Sequence, residues 1–98
     1  MPKGYMMAEI DIHDPAEYEK YRLQAPATIA KYGGRYLVRG GDPKQVEGTG
    51  APGRVVILEF DSPEQAERWY NSPEYQAILP TRLKASKGRA LRLVGFDG

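Results

Sequence analysis

Residues 54–60 read Arg-Val-Val-Ile-Leu-Glu-Phe (RVVILEF), and residues 5–12 read YMMAEIDI. Each is a strand-length run that stops at turn-forming residues. Each carries apolar side chains on both parities. In Tyr5–Ile12, one row is Met6, Ala8, Ile10 and Ile12, and the other is Tyr5, Met7, Glu9 and Asp11. In Arg54–Phe60, Ile57 shares a row with Glu59, and Leu58 belongs to the cleaner apolar row. Strands of this kind need cover on both faces of their sheet. The rest of the chain supplies about two helices, enough for one face of a four-stranded sheet. The other face is expected to be covered from outside the chain, most simply by a second copy.

The neighbouring segments complete the pattern. His13-Asp14-Pro15 ends the first strand, with Asp14 as an N-cap, Pro15 in the first helical turn and Glu17 three residues beyond the cap. Pro15–Tyr32 reads as a helix, because Tyr18, Tyr21, Ala25, Ile29 and Tyr32 recur on one face. Pro26 is expected to kink it, and Gly33-Gly34 to stop it. Arg35–Arg39 is the second strand. Residues 40–53 hold five glycines and two prolines and read as a mobile loop or a long hairpin tip. Asp61-Ser62-Pro63-Glu64 starts a second helix marked by Ala66, Trp69 and Tyr70, which Asn71-Ser72-Pro73 breaks. Glu74–Ser86 reads as a short helical extension carrying Tyr75, Ile78, Leu79 and Leu83. Arg89–Phe96 is the fourth strand.

The order strand–helix–strand–strand–helix–strand defines an α+β class. It is the ferredoxin-like βαββαβ sandwich, a four-stranded antiparallel sheet with helices on one face. Residues 1–98 form one domain of this kind, with no internal boundary.

Composition narrows the function. Fourteen basic and thirteen acidic residues give a net charge of +1, no basis for binding nucleic acid or an anionic membrane. With no cysteine there is no disulfide framework, thiolate nucleophile or cysteine metal site. The longest apolar run, Val55–Leu58, is too short to span a bilayer, and the N-terminus has no secretory pattern. A soluble cytoplasmic protein is the expectation. No motif calls for a metal or any other cofactor, and none is expected.

Few residues could carry chemistry. His13 is the lone histidine; beside Asp11 and Asp14 it falls short of a metal site and reads as an exposed loop residue. Tyr18, Tyr21, Tyr32, Trp69, Tyr70 and Tyr75 crowd the helical layer. Tyrosine offers an apolar body with a polar tip, so these residues suit either a ligand cleft or ordinary core with hydroxyls reaching water. Glu9, Glu59, Arg35 and Arg39 are charges on strands. They suit either a polar centre holding an anion or a carboxylate base, or an ion-pair network fixing the register of two subunits. Arg82, beside Pro80, Thr81 and Lys84, suits a carboxylate or phosphate contact near the end of the second helical segment, but reads first as a solvated surface charge. GGRYLVRGG at 33–41 lacks the lysine and the strand-loop-helix order of a phosphate loop.

Three blocks carry a family resemblance: KGY at Lys3–Tyr5, KYGGRYLVRGG at Lys31–Gly41, and VVILEFDSPEQAERWYNSPEYQAILPTRLKAS at Val55–Ser86. With them the chain resembles the domain-of-unknown-function thirteen-thirty family, short proteins of the dimeric α/β-barrel superfamily. The resemblance covers nearly the whole chain. It implies a ferredoxin-like protomer and a homodimer joined through the open sheet face. It implies no reaction. Many members carry His where this chain has Glu9. The wider superfamily includes cofactor-free monooxygenases, isomerases and haem-degrading enzymes. The last use a histidine after the second helix, where this chain has Leu79, so haem degradation is not expected.

Three functional classes follow. The favoured one is a small-molecule-binding homodimer whose aromatic-lined cleft takes a small organic ligand through Tyr18, Tyr21, Trp69, Tyr75 and Arg39. The second is a cofactor-independent enzyme of the monooxygenase or isomerase kind, with Glu59, Glu9 or His13 as candidate catalytic groups. The third is a structural or protein-interaction module. In the composite form of the site, Arg39 and Glu59 act together beside the tyrosines.

Overall fold

The computed structural model describes residues 1–97. The elements run β1 (Gly4–Ile12), α1 (Pro15–Lys31), β2 (Arg35–Gly40), β3 (Arg54–Phe60), α2 (Pro63–Tyr70), α3 (Pro73–Ala85) and β4 (Ser86–Val94). The sheet is antiparallel, in the order β2-β3-β1-β4. This is the ferredoxin-like arrangement, with the third strand between the first and the second.

Local chemistry starts and stops the helices where the sequence predicts. The Asp14 carboxylate accepts from the Glu17 N–H at 3.1 Å, and Pro15 sits in the first turn of α1. At the far end, Gly34 N–H donates to Ile29 O and Gly33 N–H to Ala30 O, the paired bonds of a Schellman stop. Gly33 holds φ +78°, a conformation that disfavours a side chain. The Ser72 hydroxyl joins two helices: it donates to Trp69 O at 2.7 Å and accepts from Tyr75 N–H at 3.1 Å. The segment after the break is the longer helix, thirteen residues in α3 against eight in α2.

The fourth strand begins three residues earlier than the sequence predicts, directly after α3. Ser86-Lys87-Gly88 looks like a helix end, yet β1 is long enough to pair with all of it, Ile12 with Ser86 and Ile10 with Gly88. Gly88 is required there, since a Cβ would fall 1.9 Å from the Glu9 carbonyl oxygen. The N–H groups of His13 and Asp14 both donate to Ala85 O, tying the start of α1 to the end of α3.

The core lies between the sheet and the helices. Met6, Leu58 and Phe60 pack from the sheet against Ala25, Ile29, Ala66, Trp69, Tyr75 and Ile78. Trp69 is 3% exposed; its indole N–H donates to Thr28 Oγ1 at 3.0 Å and its ring lies 4.1 Å from that of Tyr75. No helix among the described residues lies on the opposite sheet face. Its middle is an apolar strip of Met7, Ile57, Leu91 and Leu93, with the two leucines 38% and 41% exposed. One end of the strip is closed by Tyr5 donating to Glu59 at 2.8 Å and by an Arg35–Glu59 ion pair. The other end is closed by Arg89 donating to Glu9 at 2.8 Å. No helix among the described residues is long and apolar enough to cross a membrane.

Candidate functional site

Helical periodicity on α1 and α3 brings the tyrosines together. Tyr18 and Tyr21 are one turn apart on α1 and point at the sheet, with ring centroids 5.5 Å apart. Tyr75 on α3 meets Tyr21 edge-on at 6.1 Å, and the two hydroxyls share a 2.7 Å hydrogen bond. Tyr36 comes from β2. Together with Trp69 and Tyr70 these rings wall a cavity of about 40 Å³ between sheet and helices, floored by Ala8, Ile10, Val56 and Leu58. Such a volume holds a few waters or a small polar group, well short of a drug-sized molecule.

Arg39 reaches the same cavity because of a β-bulge. Strict alternation would put Arg35 and Arg39 on one face. The β2–β3 register instead runs Arg35↔Glu59, Tyr36↔Leu58, Val38↔Ile57, Arg39↔Val56, leaving Leu37 as the extra residue. Arg39 therefore points to the helical side, 4.7 Å over the Tyr36 ring. Its guanidinium donates to Arg22 O at 3.4 Å. That carbonyl has no helical donor, because residue 26, one turn on, is a proline without an N–H.

Two further arginines line the cavity, Arg54 and Arg82. Arg82 is buried at 6% exposure, which corrects its reading as a solvated surface charge. Tyr75, Ile78, Leu79, Arg82 and Ala85 form one buried stripe of α3, and Leu83, expected on it, is 61% exposed. The seven-residue spacing from Tyr75 was the available signal for Arg82. Its guanidinium lies 5.9 Å from the Tyr21 ring and against the Tyr75 hydroxyl, and Arg54 lies 5.6 Å from the Tyr18 ring. The Nε atoms of both are buried without a hydrogen-bond partner. Arg39, Arg54 and Arg82 have no carboxylate partner among the described residues. Arg22 at the rim is paired with Glu19 at 2.8 Å.

Among the described residues, no aspartate, glutamate or histidine lines this cavity. Glu59 and Glu9 stand on the open sheet face in the ion pairs already described. The composite of Arg39 with Glu59 is thus divided by the sheet itself. Glu59 and Glu9 are not adjacent either: across β1, Glu59 faces Tyr5, and Glu9 faces Val55. The Tyr5 hydroxyl and then Arg35 hold the Glu59 carboxyl below the usual range, opposite to the rise a buried base would need. His13 is exposed in the β1–α1 turn. Asp11 accepts from Gly53 N–H at 2.8 Å. No cluster of three or more metal-ligating side chains occurs among the described residues. Tyr18, Tyr21, Trp69, Tyr75 and Arg39 share one cavity; Arg82 joins them, as do Arg54 and Tyr36, which the sequence did not single out. Burial pushes the hydroxyls of Tyr21, Tyr75 and Tyr36 up, so they stay protonated and able to donate through neutral pH.

Fold and cavity define a ferredoxin-like α+β protein with an arginine-bearing aromatic pocket between its layers. The chain belongs to the family described as Domain of unknown function (DUF1330), whose model matches residues 3–96. Among solved structures it is similar to RPA0582 from Rhodopseudomonas palustris, a protein of unknown function. They share 16% identity and a TM-score of 0.79 over 99% of this chain and 85% of that one. It is also similar to SnoaB from Streptomyces nogalater, described as a cofactor-independent oxygenase. Here identity is 14% and the TM-score 0.70, over 100% of this chain and 97% of that one. A dimeric ferredoxin-like protein of unknown function from Thermobifida fusca follows, at 11% identity and a TM-score of 0.57, over 95% of this chain and 91% of that one. At these identities the likeness is one of fold. No curated protein matches the chain.

Proposed function

We propose that the protein is a small-molecule-binding homodimer whose ligand enters the cavity between sheet and helices. The observation that carries this reading is the wall itself. Protonated tyrosines and unpartnered arginine Nε atoms converge on space that a filled core would not leave. The cavity is small, so the buried part of a ligand is compact and the rest lies in the mouth beside Tyr36 and Arg39. Dimerisation is supported by the apolar strip on the open face, bounded at both ends by charge, the layout of a protein interface. The Thermobifida fusca neighbour, itself described as dimeric, is compatible with it.

A second reading, a cofactor-independent oxygenase-like enzyme, is supported by the likeness to SnoaB over the whole chain. Its proton carriers would have to be tyrosines, since Glu59, Glu9 and His13 do not line the cavity. A thermal-shift screen against a metabolite library tests the proposal, with sedimentation at micromolar concentration. A dimer stabilised by discrete hits is expected. A stable monomer refutes the assembly, and a library without hits leaves the structural module in its place.

A further inference from the structure

The arginines of the chain differ in their pairing. Arg35, Arg89 and Arg92 on the outer surfaces and Arg22 at the cavity rim each have a carboxylate partner, and the exposed Arg68 donates to Gln65 Oε1 at 3.0 Å. In the cavity wall Arg39, Arg54 and Arg82 have none among the described residues. A buried guanidinium without a counter-charge is costly, and aromatic faces at 5.6–5.9 Å offset little of that cost. The fold nevertheless keeps room for these groups. Gly40, at φ +94°, would place a Cβ 3.1 Å from Arg54 Nη1. Arg82 is 94% buried, its Nε unpartnered and its guanidinium beside the one hydroxyl pair in the wall.

We propose that this cavity takes a small organic carboxylate bearing a planar ring, with Arg82 and Arg54 holding the carboxylate and Tyr18 and Tyr21 contacting the ring. The proposal rests on the cavity being a ligand site. A carboxylate matches the planar fork of arginine and the protonated Tyr75 hydroxyl. The cavity is small and partly open, so it takes the carboxylate inside and leaves the far edge of the ring toward the mouth. Among the described residues, no strand-to-helix glycine loop of backbone N–H donors, as phosphate sites use, opens on the cavity. Arg39 at the rim attracts the anion to the mouth.

The test is calorimetric titration in low-chloride buffer with benzoate, phenylacetate, cinnamate and salicylate. Benzamide serves as an uncharged analogue and inorganic phosphate as a competing anion. At least one carboxylate is expected to bind, with benzamide and phosphate much weaker. Arg82→Met and Arg54→Gln are each expected to weaken that carboxylate about tenfold or more. Arg35→Gln, on the open face, is expected to leave it unchanged. Ligand-free Arg82→Met should melt no lower than the parent, because it removes an uncompensated buried charge; a merely structural arginine would lose stability on substitution. If Arg82→Met does not fold, Arg54→Gln carries the test. Binding of benzamide equal to that of benzoate overturns the carboxylate but keeps the small-molecule reading. Phosphate binding tighter than every carboxylate, or no carboxylate binding at all, overturns the inference.

Discussion

Truncating Trp69 to alanine tests how the helical layer is held. The side chain is 3% exposed and its ring packs on Tyr75 at 4.1 Å and on Phe60 at 5.6 Å. Removing a buried ring of this kind costs about 3–5 kcal/mol. The lost indole hydrogen bond, at 3.0 Å, contributes about 1 kcal/mol of that. Thr28 is not stranded, because its hydroxyl still donates to Ala25 O at 2.8 Å. For a domain of this size each kcal/mol moves the melting point by about 4–8 °C. A loss of about 4 kcal/mol therefore lowers it by about 15–30 °C. Differential scanning calorimetry at one fixed protein concentration is the assay, since dimerisation makes the midpoint concentration-dependent. Trp69→Phe, which keeps a ring but not the N–H, should lose less than half as much. A shift of one or two degrees for Trp69→Ala would refute the packing argument and make Trp69 a ligand-facing residue.

Two other predictions concern assembly and acid stability. Ile57 lies opposite Met7 in the middle of the open-face strip, so Ile57→Lys should give a folded monomer by sedimentation and circular dichroism; an undiminished dimer would mean that copies meet elsewhere. Glu74 is held at a pKa of about 2 by Lys31 and by Tyr32, whose hydroxyl donates at 2.8 Å. The stability it adds is complete above the ordinary value of 4.5 and is lost as pH falls toward about 2. Glu74→Gln should flatten the dependence of the denaturation midpoint on pH across that window, and an unchanged slope would remove Glu74 from acid unfolding.

Much of the fold was legible because its signals are local. The two apolar parities of Tyr5–Ile12 and Arg54–Phe60, the capping residues Asp14, Ser62 and Ser72, and the Gly33-Gly34 stop each act within a few residues. What escaped depends on pairing or packing between distant segments. Leu37 looks like any strand residue, and only its partner strand reveals it as the bulge that turns Arg39 inward. The polar start of β4 is a strand only because β1 extends to meet it. Arg82 looked solvated because charge outweighed its place on the stripe led by Tyr75. The same bulge explains why one composite of Arg39, Glu59 and the tyrosines was conceivable in one dimension and is divided in three. The tyrosines were visible as a cluster, whereas the missing counter-charges around them could be counted only after every arginine had been placed.

The central claim is that the helical side of the sheet binds a small molecule while the open side is left for a second subunit. The crystal structure of the protein with the strongest hit from the metabolite screen tests it most directly. The account predicts the ligand between the layers, touching Tyr21 and Tyr75 with a polar group against Arg82, in a dimer joined through Met7, Ile57, Leu91 and Leu93. A ligand seated on the open sheet face, with the tyrosine cavity unchanged and empty, would contradict it.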